Sequence, residues 1–242
     1  MMNTKVNKEV GMTGGAQRRI ALVAGFGLLV MVVAIGLAEG MAMTNILVPG
    51  DTAMTIKNIT AQEGLFRFGI FSHLVVVILD IVVAWAFYIY LKPLDEPLSL
   101  LAAWSRVVYS AFYGIALVNY FQLAQVLGAG GYAAELNSGA LEMQVALMLN
   151  GFQDSWDVGY VFFGLHLTFL GWVLFKSGVI PKWMGALVLI GGISYLVDYI
   201  SKILFVDFYP NISLIFGWTE LIFMVWLLFR GGKEGKEANS SQ

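Results

Sequence analysis

The sequence predicts an all-α fold, a polytopic transmembrane helical bundle of six spans. Three observations carry that expectation. Six apolar blocks of roughly membrane-spanning length are separated by short polar joints. Hydrophobic residues make up 59% of the 242-residue chain and charged residues 12%, with a mean hydropathy of +0.77, whereas a soluble domain carries about 25% charge. None of the long blocks alternates with the period of two that a half-buried strand requires.

The elements follow in order. Residues 1–18 are polar and contain glycine, which predicts a disordered cytoplasmic tail. Lys5, Lys8, Arg18 and Arg19 ahead of the apolar run 20–38 look superficially like a signal peptide. That run exceeds the usual apolar core of about 7–15 residues, and Ala38-Glu39-Gly40 is a poor cleavage site. It is therefore read as a retained first span, 19–43. Pro49-Gly50-Asp51 breaks the helix, and Asp51 is placed to N-cap a short segment over 52–63.

Span 2 covers 65–91 and stops at Lys92-Pro93. Pro97 opens span 3, 98–127, at a first-turn position where its missing N–H costs nothing. Gly128 to Gly131 lead into the longest joint. There Leu141, Val145 and Met148 recur at helical spacing and predict a short interfacial helix in the long outer loop. Spans 4, 5 and 6 follow as 156–175, from after Pro181 to Phe205, and from after Pro210 to Phe229. The bundle thus occupies 19–230, with a charged cytoplasmic tail over 231–242.

Lys and Arg fix the expected orientation. With the N-terminus inside, the cytoplasmic side holds Lys5, Lys8, Arg18, Arg19, Lys92, Arg106, Lys176, Lys182, Arg230, Lys233 and Lys236. The outer side keeps Lys57, Arg67 and Lys202. Both termini are expected in the cytoplasm. Tyr88, Tyr90, Trp104 and Trp183 near inner ends, with Tyr132, Trp156 and Tyr209 near outer ones, suit interfacial belts.

Composition also excludes. A net charge of −2 offers no basic field for nucleic acid. Without cysteine there are no disulfides, thiolate metal sites or cysteine nucleophiles. No P-loop, G-x-G-x-x-G, G-x-S-x-G or H-E-x-x-H motif occurs, so a nucleotide-driven pump is not expected.

Chemistry must come from polar residues stranded in the spans. A charge at the bilayer centre costs about 2.5–3.5 kcal/mol on the insertion scale and normally faces the bundle interior. Depth estimates put His73, His166, Asp198 and Glu220 roughly 12–16 Å below the outer ends of four different spans. They are the cavity or proton-titratable candidates. His73, His166 and Glu220 could also hold zinc or iron, and the two histidines could ligate a haem. Simple buried hydrogen bonding is the competing reading, and no cofactor is predicted. Asp80 in span 2 and Arg106 in span 3, on helices joined by a short turn, are expected to form a buried ion pair. Asp198 and Lys202 are spaced to pair locally. Glu39, Asn119, Gln122, Asp154 and Asp157 outline an outer vestibule. Gly36-x-x-x-Gly40 and Gly185, Gly191 and Gly192 allow close helix approach within or between chains, so oligomerisation through glycine-rich faces is open.

Several stretches, taken together, resemble one family. They are Phe66-Arg67-Phe68-Gly69-Ile70, Leu79-Asp80-Ile81-Val82-Val83 leading to Leu91-Lys92-Pro93, and Leu101-Ala102-Ala103-Trp104. Phe163-Gly164-Leu165-His166-Leu167, Lys176-Ser177-Gly178-Val179-Ile180-Pro181 and Tyr195-Leu196-Val197-Asp198 complete the set. They are similar to the bacterial integral-membrane family catalogued as domain of unknown function 4386, in the family's order, over most of 20–230. The resemblance implies a multi-span helical fold in the bacterial inner (plasma) membrane and carries over no reaction or ligand. His73 is not part of the pattern. The leading functional expectation is binding or transport of a small molecule through a polar intramembrane cavity, with proton coupling open. The alternatives are an intramembrane metal-assisted hydrolase or haem-type redox protein, and a structural or sensory membrane protein. The lipid bilayer is the expected partner.

Overall fold

The computed structural model describes residues 14–128, 130–205 and 208–233. Most of both expected tails, 1–13 and 234–242, lies outside the described residues. Residues 14–18, expected in the tail, are already helical. The helices are α1 (Gly14–Ile35), α2 (Thr44–Ile46), α3 (Thr52–Ala61), α4 (Glu63–Leu91), α5 (Glu96–Leu127), α6 (Ser138–Lys176), α7 (Lys182–Leu204), α8 (Ser213–Phe216) and α9 (Thr219–Phe229). A π-helical stretch, Gly36–Met43, joins α1 to α2, and a 3₁₀ turn spans Tyr132–Glu135. No strand occurs among the described residues.

Helix starts follow side-chain chemistry. Asp51 accepts from Met54 N–H at 2.8 Å and caps α3, as its position after Pro49-Gly50 predicts. Asp95 accepts from Leu98 N–H at 3.2 Å at the start of α5, where Pro97 sits in the first turn. Asn137 accepts from Ala140 N–H at 2.9 Å and starts α6.

That last cap changes the reading of the long joint. The segment holding Leu141, Val145 and Met148 is not a separate helix; it runs unbroken into the fourth apolar block. The 39-residue α6 is about 58 Å long at about 1.5 Å per residue, against a hydrocarbon core of about 30 Å. No glycine pair or proline interrupts it, so nothing stops the helix at the interface. Val145 is buried, and α3 packs against α6.

Among the described residues, five helices are long and apolar enough to cross a membrane: Gly15–Ile46, Glu63–Leu91, Glu96–Leu127, Ser138–Lys176 and Lys182–Leu204. The last apolar stretch, Ser213–Phe229, is shorter. Its origin is sunk beside the last third of α7, because Asp198 accepts from Ile212 N–H at 3.0 Å and Ser213 N–H at 2.6 Å. Asp198 lies six residues before the end of α7, so this helix begins about 9 Å below that end.

The long helices form a closed ring, in which α1 packs on α4, α4 on α5, α5 on α6, α6 on α7, α7 on α9 and α9 on α1. Arg18 closes it. Its guanidinium donates to Leu227 O and Gly231 O, both at 2.8 Å, and to Leu228 O at 2.5 Å, satisfying carbonyls at the end of α9. The tightest seam is α6 on α7. A Cβ on Gly171 would meet the Leu189 backbone, one on Gly185 the Phe175 backbone, and one on Gly192 the Thr168 backbone. Gly36 and Gly40 have nothing within 4 Å of their Cβ positions. The close-packing role expected of both glycine groups therefore falls, within the chain, to the second alone. Gly171→Ala should destabilise the bundle in detergent by about 1–3 kcal/mol, the range for overpacking, and Gly36→Ala should cost nothing measurable. Comparing thermal unfolding of the two variants checks this.

Candidate functional site

Four ionisable side chains meet inside the ring. Arg106 of α5 donates from Nε to Asp80 Oδ1 on α4 at 2.8 Å. Its Nη1 donates to Glu220 Oε1 on α9 and lies 3.0 Å from His166 Nε2 on α6. His166 Nδ1 sits 2.9 Å from Ala102 O, and Nε2 is 3.4 Å from Glu220 Oε1. Arg106 is 1% exposed, Asp80 and His166 0%, and Glu220 6%. The rings of Phe87 and Phe163 lie 5.7 Å from the guanidinium carbon.

Protonation follows from who can donate. A carbonyl only accepts, so His166 Nδ1 must carry a proton toward Ala102 O. The Arg106 Nη1 group only donates, so His166 Nε2 must offer its lone pair. His166 is thus a neutral imidazole with its proton on Nδ1, and its contact with Glu220 is not an ion pair. One guanidinium serves two carboxylates.

The sequence candidates separate accordingly. Asp80 and Arg106, considered as a pair, belong with His166 and Glu220 in one cluster. Asp198 is elsewhere, spent on the buried start of α8. Lys202 does not pair with Asp198; it bridges to Asp157 on α6, which also accepts from Gln153 Nε2 at 2.8 Å. His73 stands on α4 two turns from Asp80, about 10 Å along the helix. Its Nδ1 is 2.6 Å from the Tyr113 hydroxyl, and the rings of Tyr120, Phe152 and Trp156 surround it at 5.8–6.1 Å. His73 Nε2 lies 3.2 Å from Glu39 Oε1 but off hydrogen-bond geometry.

These positions bear on metal and haem. Both nitrogens of His166 are engaged, and a fixed cation, Arg106, touches the very atoms of His166 and Glu220 that would coordinate. No group of three or more metal-binding side chains assembles among the described residues.

Glu39 owes its place to the π-helical stretch. Thr44 N–H donates five residues back to Glu39 O, and Thr44 Oγ1 donates to the same oxygen at 2.7 Å. The widened turn carries Glu39 toward His73 and a cavity.

Two neighbouring chambers with common walls lie within the ring among the described residues. The inner one, about 170 Å³, is lined by Asp80, Arg106 and Glu220 together with Tyr109, Tyr113, Trp156, Tyr160, Phe163 and Tyr195. The outer one, about 630 Å³, is lined by Glu39, Tyr160, Tyr195, Tyr199, Ser213 and Trp218, among others. Val32, Ile35, Tyr160, Tyr195, Gly217 and Leu221 border both. The aromatic walls stack on one another: Tyr113 on Trp156 at 4.9 Å, Trp156 on Tyr160 at 5.3 Å, and Tyr160 on Tyr199 at 4.6 Å between ring centroids.

Sequence reasoning missed this wall. Trp156 was expected at an interface because span 4 was started there; it instead lies inside α6 and against the chamber. The available signal was spacing. Tyr109 and Tyr113, Phe152, Trp156 and Tyr160, and Tyr195 and Tyr199 recur four residues apart and mark one face of each helix.

A ring of apolar helices long enough to cross a bilayer, closed around a charged and aromatic interior, has the build of a multi-pass membrane protein. The chain belongs to the family described as Domain of unknown function (DUF4386), which it matches over residues 23–231. An uncharacterized protein of Archaeoglobus fulgidus is 30% identical over 166 residues, 69% of this chain and 85% of that protein. No solved structure matches.

Arg106→Met should destabilise the detergent-solubilised protein by about 3–5 kcal/mol, because it strands two buried carboxylates. The triple variant Arg106→Met, Asp80→Asn, Glu220→Gln should recover most of that loss. Denaturant titrations of the two would show equal losses if the cluster were not electrostatically coupled.

Proposed function

We propose that this protein sits in the plasma membrane and binds a small molecule in the neighbouring chambers, passing it across the bilayer. The observation that carries the reading is the adjacency of the outer chamber to the one lined by Asp80, Arg106 and Glu220, the two sharing Val32, Ile35, Tyr160, Tyr195, Gly217 and Leu221 as walls. Buried charges held only for packing need no cavity. Here they line a chamber of about 170 Å³, and it shares walls with a larger one of about 630 Å³, which falls within the about 300–1,000 Å³ range of small-molecule sites. Ser213–Phe229 is the sixth span in this reading, starting below the outer surface, and both termini are cytoplasmic, in keeping with the Lys and Arg distribution.

Proton coupling belongs to the same proposal. Two carboxylates share one cation, so a proton is one way to neutralise the surplus. Arg106, Tyr109 and Tyr113 from α5, His166 from α6 and Glu220 from α9 are the charged or titratable groups around Asp80. The intramembrane hydrolase and redox alternatives draw no support from the cluster, whose coordinating atoms already face the arginine.

The natural chain has no cysteine, which makes a test clean. Val32→Cys, on the wall of both chambers, should react with a membrane-impermeant thiol reagent, and Ala24→Cys, fully buried in α1, should not. Reaction of Val32→Cys from both faces of sealed vesicles supports passage, and reaction from one face only supports binding without transport. No reaction from either face contradicts an open cavity. Reporters fused after Gly130 and after Lys176 should lie on opposite sides of the membrane; the same side for both would break the six-span topology.

A further inference from the structure

Resting on the cavity-binding reading above, we infer that the ligand is an organic monocation, an amine or onium group on an apolar body. Three independent features of the chambers point the same way.

The first is the count of fixed charge. Asp80 and Glu220 bring two carboxylates to the inner chamber, Arg106 brings one cation, and His166 is held neutral by its two hydrogen bonds. With both carboxylates ionised, the cluster keeps one surplus negative charge where charge is costly. The outer chamber adds Glu39 and no Lys or Arg. The other titratable groups lining it are Tyr160, Tyr195 and Tyr199, and His73 lies beside Glu39 with its Nδ1 engaged by Tyr113.

The second is an acceptor without a donor. Asp80 is fully buried, its Oδ1 takes the Arg106 bond, and its Oδ2 accepts no hydrogen bond from the described residues. An unpaired buried carboxylate oxygen is expensive. Asp80 lines the inner chamber, so a cation there would supply the missing charge.

The third is the wall. Tyr109, Tyr113, Trp156, Tyr160, Tyr195 and Tyr199 enclose the chambers. Aromatic faces carry negative electrostatic potential and attract cations, tryptophan and tyrosine included. They also shelter an apolar body from water. An anion would meet these faces and the surplus carboxylate with the wrong sign. A neutral ligand would leave the surplus to be balanced by a proton alone.

The experiment uses size-matched probes on full-length protein in nanodiscs of zwitterionic phosphatidylcholine, with empty discs as the background. Tetraphenylphosphonium is the cation, tetraphenylborate the anion of the same shape, and triphenylphosphine oxide a neutral relative. Equilibrium dialysis should give saturable binding of tetraphenylphosphonium. The neutral probe should compete at least about tenfold more weakly, and the borate should not compete. Asp80→Asn should weaken the cation by about tenfold while sparing the neutral probe. Glu39→Gln, at a half-exposed side chain outside the core, should weaken it several-fold and guards against a folding defect in Asp80→Asn. If all three probes bind equally, or the borate binds best, the cation assignment is overturned while the cavity-binding reading survives. If none binds saturably, the cavity-binding reading falls and the assignment falls with it.

Discussion

Arg106 is the constraint on which the interior depends. A lone guanidinium in the middle of an apolar bundle costs about 2.5–3.5 kcal/mol on the insertion scale, and so does each carboxylate placed near it. Brought together, these groups satisfy one another. Asp80 anchors α4 to α5, Glu220 anchors α9, and the His166 lone pair anchors α6. Helices packed only by apolar side chains can slide or rotate in lipid, where no hydrophobic force separates one packing from another. A four-helix hydrogen-bond junction fixes their rotation, and hence which aromatic faces turn inward.

The second constraint is the backbone of the last helix. Free N–H groups cannot be left in hydrocarbon, yet α8 begins below the end of α7. Asp198 resolves this by accepting from two consecutive backbone N–H groups. The consequence reaches the site. Starting low makes the final stretch short, sets Gly217 and Leu221 against the chambers, and brings Glu220 to the depth of Arg106. Gly191 on α7 makes room, since a Cβ there would strike the Thr219 side chain and Phe216 O. An N-cap and a glycine thereby position a carboxylate belonging to neither of them.

Much of this was legible in the sequence and some was not, for physical reasons. Long apolar blocks and turn prolines mark the helices because helix length and breaking are local properties. The closeness of Asp80 and Arg106 follows from a short hairpin. The joining of His166 and Glu220 to them does not, since depth along a helix says nothing about which way a side chain faces. Asp198 looked like its neighbours in depth and composition. Its capping role depends on where a distant segment re-enters. The unbroken α6 was obscured because its first turns are polar enough to resemble a loop. The aromatic wall was visible only as four-residue spacing, which also fits ordinary packing.

The account turns on the charge state of the junction: a neutral His166 receiving a hydrogen bond from Arg106, which leaves one surplus carboxylate charge when Asp80 and Glu220 are both ionised. Nitrogen-15 solid-state NMR of histidine-labelled protein in lipid at neutral pH reads this directly, and His73→Gln leaves His166 as the only histidine. The account predicts one protonated nitrogen, Nδ1, and one unprotonated, hydrogen-bonded Nε2. An imidazolium with both nitrogens protonated would balance the carboxylates within the protein and contradict it.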